Sequence, residues 1–154
     1  MPLQRLGTDS VTGRRLFALV GECLARPPLD WPTDEDQALA LLLVTTDSND
    51  VLPIAIAREW LEKGATFVLC TGPGSDSLEQ TFDDATFRPE CGPELTYTVM
   101  TTAHRNEPIE SVLGFAFEYA QSAEDAPRKV RSILLLTTTD STVEKSCKWL
   151  HSRK

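Results

Sequence analysis

Four apolar, β-favouring runs, each ending in a small polar cluster and each followed by a helical pattern, predict an α/β domain on a mainly parallel sheet. The clusters are residues 45–50 (TTDSND), 70–76 (CTGPGSD), 101–107 (TTAHRNE) and 137–141 (TTTDS). Helices on both faces would make the domain three-layered and Rossmann-like or flavodoxin-like, with four strands, or five if an earlier segment joins. A chain of 154 residues without repeat, long linker or low-complexity tract fits a single domain over 1–154. The polar clusters then lie at the carboxyl ends of the strands, the edge where open α/β sheets bind ligands.

Residues 1–13 are mixed and polar and read as a loose N-terminal arm. Over 14–24 (RRLFALVGECL), Leu16, Leu19, Val20, Cys23 and Leu24 fall near one helical face, so the spacing favours a helix over a short strand at 16–20. Arg26-Pro27-Pro28 ends it, and 31–36 (WPTDED) reads as a loop into the sheet. Residues 38–46 (ALALLLVTT) are almost continuously apolar, as a parallel strand covered on both faces requires. Asp50 is placed to cap a helix of about fourteen residues, with Pro53 in its first turn and Gly64 ending it. Its stripe is Val51, Ile54, Ala55 and Leu61, with Arg58 at the margin.

A second strand at 65–71 (ATFVLCT) precedes a helix opened by Asp76 and Glu79 as a capping pair, with Leu78, Phe82 and Ala85 at helical spacing. Residues 87–92 link it to an alternating third strand at 95–102 (LTYTVMTT). Pro108 starts a helix whose apolar face is Ile109, Val112, Leu113, Ala116 and Ala120. A charged connection at 124–131 leads to the fourth strand, 132–138 (SILLLTT). Ser141 and Glu144 form a capping box for a last helix turning Val143, Cys147 and Leu150 inward.

Apolar and charged fractions of 41% and 25% are ordinary. No stretch reaches the roughly 18 apolar residues of a membrane span, and the first thirty residues lack a secretory pattern. A soluble, cytoplasmic protein is expected. The formal charge of −8 disfavours nucleic acid, whose binding draws on Lys and Arg releasing counterions. It favours a basic protein partner through electrostatic steering, although acidity also serves plain solubility. Cys23, Cys70, Cys91 and Cys147 are widely spaced without a C-x-x-C pair and read as buried thiols. Oligomeric state is not legible.

Two of the clusters carry residues beyond the needs of a turn. Gly72, Gly74 and Ser75 join a strand to a helix amino terminus, where free N–H groups suit an anion. The loop is neither G-x-G-x-x-G nor a G-K-[ST] loop, Asp76 adds negative charge, and a tight turn explains the glycines equally well. His104 lies just past the third strand, and an imidazole near a carboxylate suits general acid–base work. Asp47, Asp50, Asp76, Glu107 and Asp140 are possible partners; Cys70, Ser75 and Thr102 are possible nucleophiles. His151 reads as a helix-end residue. Asp83 and Asp84 oppose the dipole near the end of their helix and call for partners elsewhere. No metal-ligand spacing and no cofactor motif is present, so none is expected.

Residues 67–74 (FVLCTGPG) and 97–107 (YTVMTTAHRNE) resemble a family of small bacterial proteins grouped as a domain of unknown function, which carry a C-x-W-G-like turn, an Asp-rich helix and V-M-T-T-W-H followed by E. Thr71 and Ala103 stand where that family usually has tryptophan. The resemblance implies an α/β fold, makes Cys70, Gly72, Asp83, Asp84, Thr102, His104 and Glu107 the residues to test together, and implies no reaction. On the sequence alone, a non-enzymatic acidic module of immunity or regulatory type, binding a basic protein, ranks first. The alternative is a domain that binds or hydrolyses a nucleotide-like or anionic metabolite around His104.

Overall fold

Long apolar runs end up at the centre of the sheet because only there are both faces of a strand covered. In the computed structural model, which describes residues 3–21, 24–28, 37–95, 97–121 and 129–153, these central strands are β3 (Gln37–Val44), β4 (Ala65–Thr71) and β6 (Lys129–Thr137). The other strands are β1 (Gln4–Thr8), β2 (Arg15–Val20) and β5 (Met100–His104). The helices are α1 (Ile54–Glu62), α2 (Ser75–Phe87), α3 (Ile109–Tyr119) and α4 (Asp140–Ser152). Strand order is β1-β2-β6-β3-β4-β5, parallel throughout except for β1 against β2. One core layer joins Leu41, Leu43, Val68 and Cys70 to Trp60 of α1 and Phe82 of α2. The other joins Leu42, Leu69, Ile133 and Leu135 to Leu113 and Phe117 of α3 and Leu150 of α4.

Among the described residues the sheet thus has six strands rather than four or five. Residues 15–20 form a strand, not a helix, for a reason of packing. Leu16 and Ala18 are buried in one layer while Phe17 and Leu19 are buried in the other, and a helix at one face could not bury all four. The expected loose arm contains β1, which pairs with β2 and takes a bulge between Arg5 and Gly7.

Further corrections concern helix ends. Asp50 does not cap α1; its carboxylate accepts from the amides of Thr46 at 2.8 Å and Asp47 at 3.2 Å, closing a loop, and Pro53 is the N-cap. Val51 is exposed outside the helix. Arg58 is buried, not marginal, because its guanidinium reaches the Ala85 carbonyl at 3.1 Å, the Pro93 carbonyl and the Glu62 carboxylate at 3.1 Å. Neither α2 nor α4 has a side-chain cap: Gly74 and Thr139 are their N-caps, and Ser141 lies inside α4. β5 begins at Met100 because its ladder with β4 starts at Phe67 opposite Met100. Cys70 is buried, whereas Cys91 and Cys147 are only partly so. Cys23, the 31–36 loop and residues 124–128 lie outside the described residues.

The N-terminal hairpin is fastened to the opposite end of the chain. Arg153 donates from Nε to Asp9 Oδ1 at 2.8 Å, and from Nη2 to Asp9 Oδ2 at 3.2 Å and Glu118 Oε1 at 2.7 Å. The Thr12 hydroxyl and amide donate to Asp9 Oδ2 at 2.7 and 3.0 Å. Burial by itself would raise the Asp9 carboxyl, but the hydrogen bonds from Arg153 and Thr12 outweigh it and hold the group at about 2. Arg14 donates to the carbonyls of Ala116 at 2.9 Å and Phe117 at 3.2 Å, near the end of α3.

Candidate functional site

β5 is an edge strand, so its side chains divide cleanly between the two sheet faces. Its register against β4 sets Met100 beside Phe67, Thr102 beside Leu69 and Thr71 beside His104. Alternation then puts Met100, Thr102 and His104 on the α3 face and Thr101 and Ala103 on the α2 face. Contacts agree: Thr101 Oγ1 donates to Asp83 Oδ1 of α2 at 2.9 Å, and the His104 ring meets Phe115 of α3 edge-on at 5.0 Å.

His104 is the most fully engaged polar residue of this edge. The Thr71 hydroxyl donates to its carbonyl at 2.8 Å, fixing the strand end. After it, the Arg105-Asn106 turn and Pro108, the N-cap of α3, bring Glu107 back over the ring. The Glu107 carboxylate pairs with Nδ1, and Nε2 lies 2.9 Å from Thr102 Oγ1. An ionised carboxylate only accepts, so in the neutral ring the proton belongs on Nδ1 and the Nε2 lone pair faces the Thr102 hydroxyl. The histidine side chain is 9% exposed while that of Glu107 is 51% exposed. A hydroxyl, a base and a carboxylate orienting the base stand in a line, the arrangement that activates an oxygen nucleophile.

The other sequence candidates do not converge on this ring. Cys70 is buried in the opposite layer, among residues including Leu78 and Phe82. Burial, reinforced by Glu79 and Asp83, pushes its thiol far above the ordinary range, so thiolate is disfavoured there. Asp83 is taken up by Thr101, and Asp84 by Arg88 at 3.0 Å and Gln80 at 3.0 Å. These partners answer the unfavourable helix-end carboxylates.

The glycine loop is shaped by its neighbour. Gly72 has φ +93°, and a Cβ on it would stand 2.3 Å from the Thr45 carbonyl oxygen, so close approach of the β3 loop requires glycine. Gly74, at φ +81°, lies against Ser48. Ser75 is buried on the stripe of Leu78 and Phe82, and its Oγ has no hydrogen-bond partner among the described residues. Asp76 is ion-paired with Arg105, which ties this loop to the one carrying His104.

The topological switch lies elsewhere, between β3 and β6, whose following helices α1 and α4 cover opposite faces. Thr46 and Thr138 hydroxyls meet across it at 3.3 Å. Several of its groups serve the loops themselves: Asp50 accepts from the Thr46 and Asp47 amides, Thr137 Oγ1 from the Thr139 amide at 3.3 Å, and Thr139 Oγ1 lies 2.9 Å from Thr142 Oγ1.

Phe115, Tyr119 and Met100, on the same face as His104, escape the sequence reading as site residues. Phe115 touches His104, Phe67 at 6.3 Å and Tyr119 at 5.4 Å, and Met100 continues the Thr102–His104 row. Their signals are the i, i+2, i+4 spacing in a strand and the i, i+4 spacing of Phe115 and Tyr119 in a helix.

A family profile described as Domain of unknown function (DUF7684) matches residues 21–154. The chain belongs to this family. No curated protein and no solved structure matches it. The DUF7684 segment takes in everything from β3 to α4, including Thr102, His104, Glu107 and Phe115, and leaves β1 and β2 outside. Among the described residues of this DUF7684 member, no helix is long and apolar enough to cross a membrane, and no group of three metal-ligating side chains is gathered.

Proposed function

We propose that this chain is a single, Rossmann-like domain that binds and hydrolyses a small molecule at the outer end of β5, with His104 as general base. The observation that carries the reading is the single histidine spanning Thr102 Oγ1 and the Glu107 carboxylate. Thr102 supplies the attacking oxygen, Nε2 takes its proton, and Glu107 holds the ring and stabilises the imidazolium. Unpaired Cys70, Cys91 and Cys147 fit a reducing, cytoplasmic setting.

Turnover of p-nitrophenyl acetate tests this reading. His104→Ala is expected to lower the rate at least about 100-fold, with the circular dichroism spectrum retained. A variant as active as the wild type overturns the assignment.

A second reading has its own support. Asp47, Asp50, Asp76, Glu107 and Asp140 lie in the loops at the carboxyl edge of the sheet, where Arg105 is paired with Asp76. Such an edge suits a basic protein partner, in a regulatory or immunity-type role. Salt-sensitive binding to a basic protein, lost on neutralising Asp47 and Asp140, supports this reading over the first.

A further inference from the structure

The surroundings of the His104 ring narrow what it acts on. Phe115 lies edge-on to the ring and passes its contact on to Tyr119, which is 66% exposed. Met100, two residues before Thr102 and on the same face of β5, is 43% exposed. Tyr119 and Met100, exposed on the helix and strand that also carry Phe115 and Thr102, mark a subsite for an apolar group along this face. The nearby charge is two carboxylates, Glu107 and Asp76, against one guanidinium, Arg105, which pairs with Asp76, so its balance is negative. An anionic metabolite would meet a net negative charge there.

Resting on the hydrolytic reading above, we propose that the substrate is an uncharged ester with an apolar acyl chain, seated against Phe115, Tyr119 and Met100. Thr102 Oγ bonds to the ester carbonyl carbon while its proton passes to His104 Nε2. The C–O bond to the leaving alcohol then breaks, and the imidazolium returns the proton to that oxygen. Water, deprotonated by the same nitrogen, releases the acid and restores Thr102, so ester and water become acid and alcohol. No strand among the described residues pairs the outer side of β5, so backbone N–H groups there are open to the carbonyl oxygen as it gains charge.

The test compares p-nitrophenyl octanoate, p-nitrophenyl acetate and the negatively charged mono-p-nitrophenyl succinate with the full chain. The octanoate is expected to exceed the acetate in kcat/KM by at least about tenfold, and the succinate to fall below the acetate. In Met100→Ser/Tyr119→Ser the octanoate-to-acetate ratio should drop towards one, chiefly through KM. His104-dependent turnover without chain preference, or with the succinate preferred, overturns the acyl-chain assignment and leaves the base in place. No His104-dependent turnover of any ester overturns both.

Discussion

Two pairs of ionisable side chains lie on either side of α3 and use their atoms in opposite ways. In the Asp9–Arg153 pair the carboxylate is wholly buried, and both its oxygens are taken by Arg153 and Thr12. In the His104–Glu107 pair the base is buried and the carboxylate half in solvent, and the remaining ring nitrogen faces a hydroxyl on an open strand edge. Both cost desolvation, but only the second keeps a lone pair directed at a group that can react. Saturation of the polar atoms, more than burial or charge, separates a fastening from a candidate reaction centre.

Substitutions can break that contrast. Asp9→Asn should carry the largest stability cost, about 3 kcal/mol by urea denaturation, because it leaves the Arg153 guanidinium with only the half-exposed Glu118 as a charged partner. A loss below about 1 kcal/mol would make the pair no more than a surface contact. Its pH signature has a definite sign. With the folded carboxyl lowered from 3.8 to about 2, the contribution is complete above pH 3.8 and disappears as pH falls towards 2. That contribution is about 2 kcal/mol, and the Asn variant should lack this segment of the stability profile. Glu107→Gln should cost less, about 1 kcal/mol, since a half-exposed carboxylate is screened by solvent. The readout is a fall in kcat of roughly fivefold with KM unchanged; a change in KM alone would place Glu107 in binding instead. The smallest effect belongs to α3 itself. A Cβ on Gly114 would meet nothing within 4 Å, so Gly114→Ala should raise stability by about 0.8 kcal/mol and add independently to Asp9→Asn.

Legibility followed the range of the interactions. β3, β4 and β6 were readable because an unbroken apolar run has few other places to go, and β4 falls at 65–71 as predicted. The His104–Glu107 pair spans three residues and lies within reach of pattern reasoning. What separates His104 from Cys70, Asp83 and Asp84 is the face each side chain takes, and that depended on which strand β5 joins and where its ladder begins. β2 was misread because Leu16 and Leu19 suit one helical face, and only the two layers around the sheet show that Phe17 and Ala18 are equally buried. Asp9 and Arg153 stand 144 residues apart, a pairing no local pattern announces.

The placement of β6 between β2 and β3 sets a schedule for the chain as it is made. Arg15 lies beside Ser132, so the ribbon of β1 and β2 leaves the ribosome more than a hundred residues ahead of the strand it needs. At about 5–20 residues per second that is a wait of roughly 6–23 seconds. Throughout it, Leu16 to Leu19 lack the parallel strand they pair with. Partners that shield nascent apolar segments should therefore matter most for this one ribbon, and a slowed ribosome should lower the yield of folded protein more through its first twenty residues than through α1 or α2.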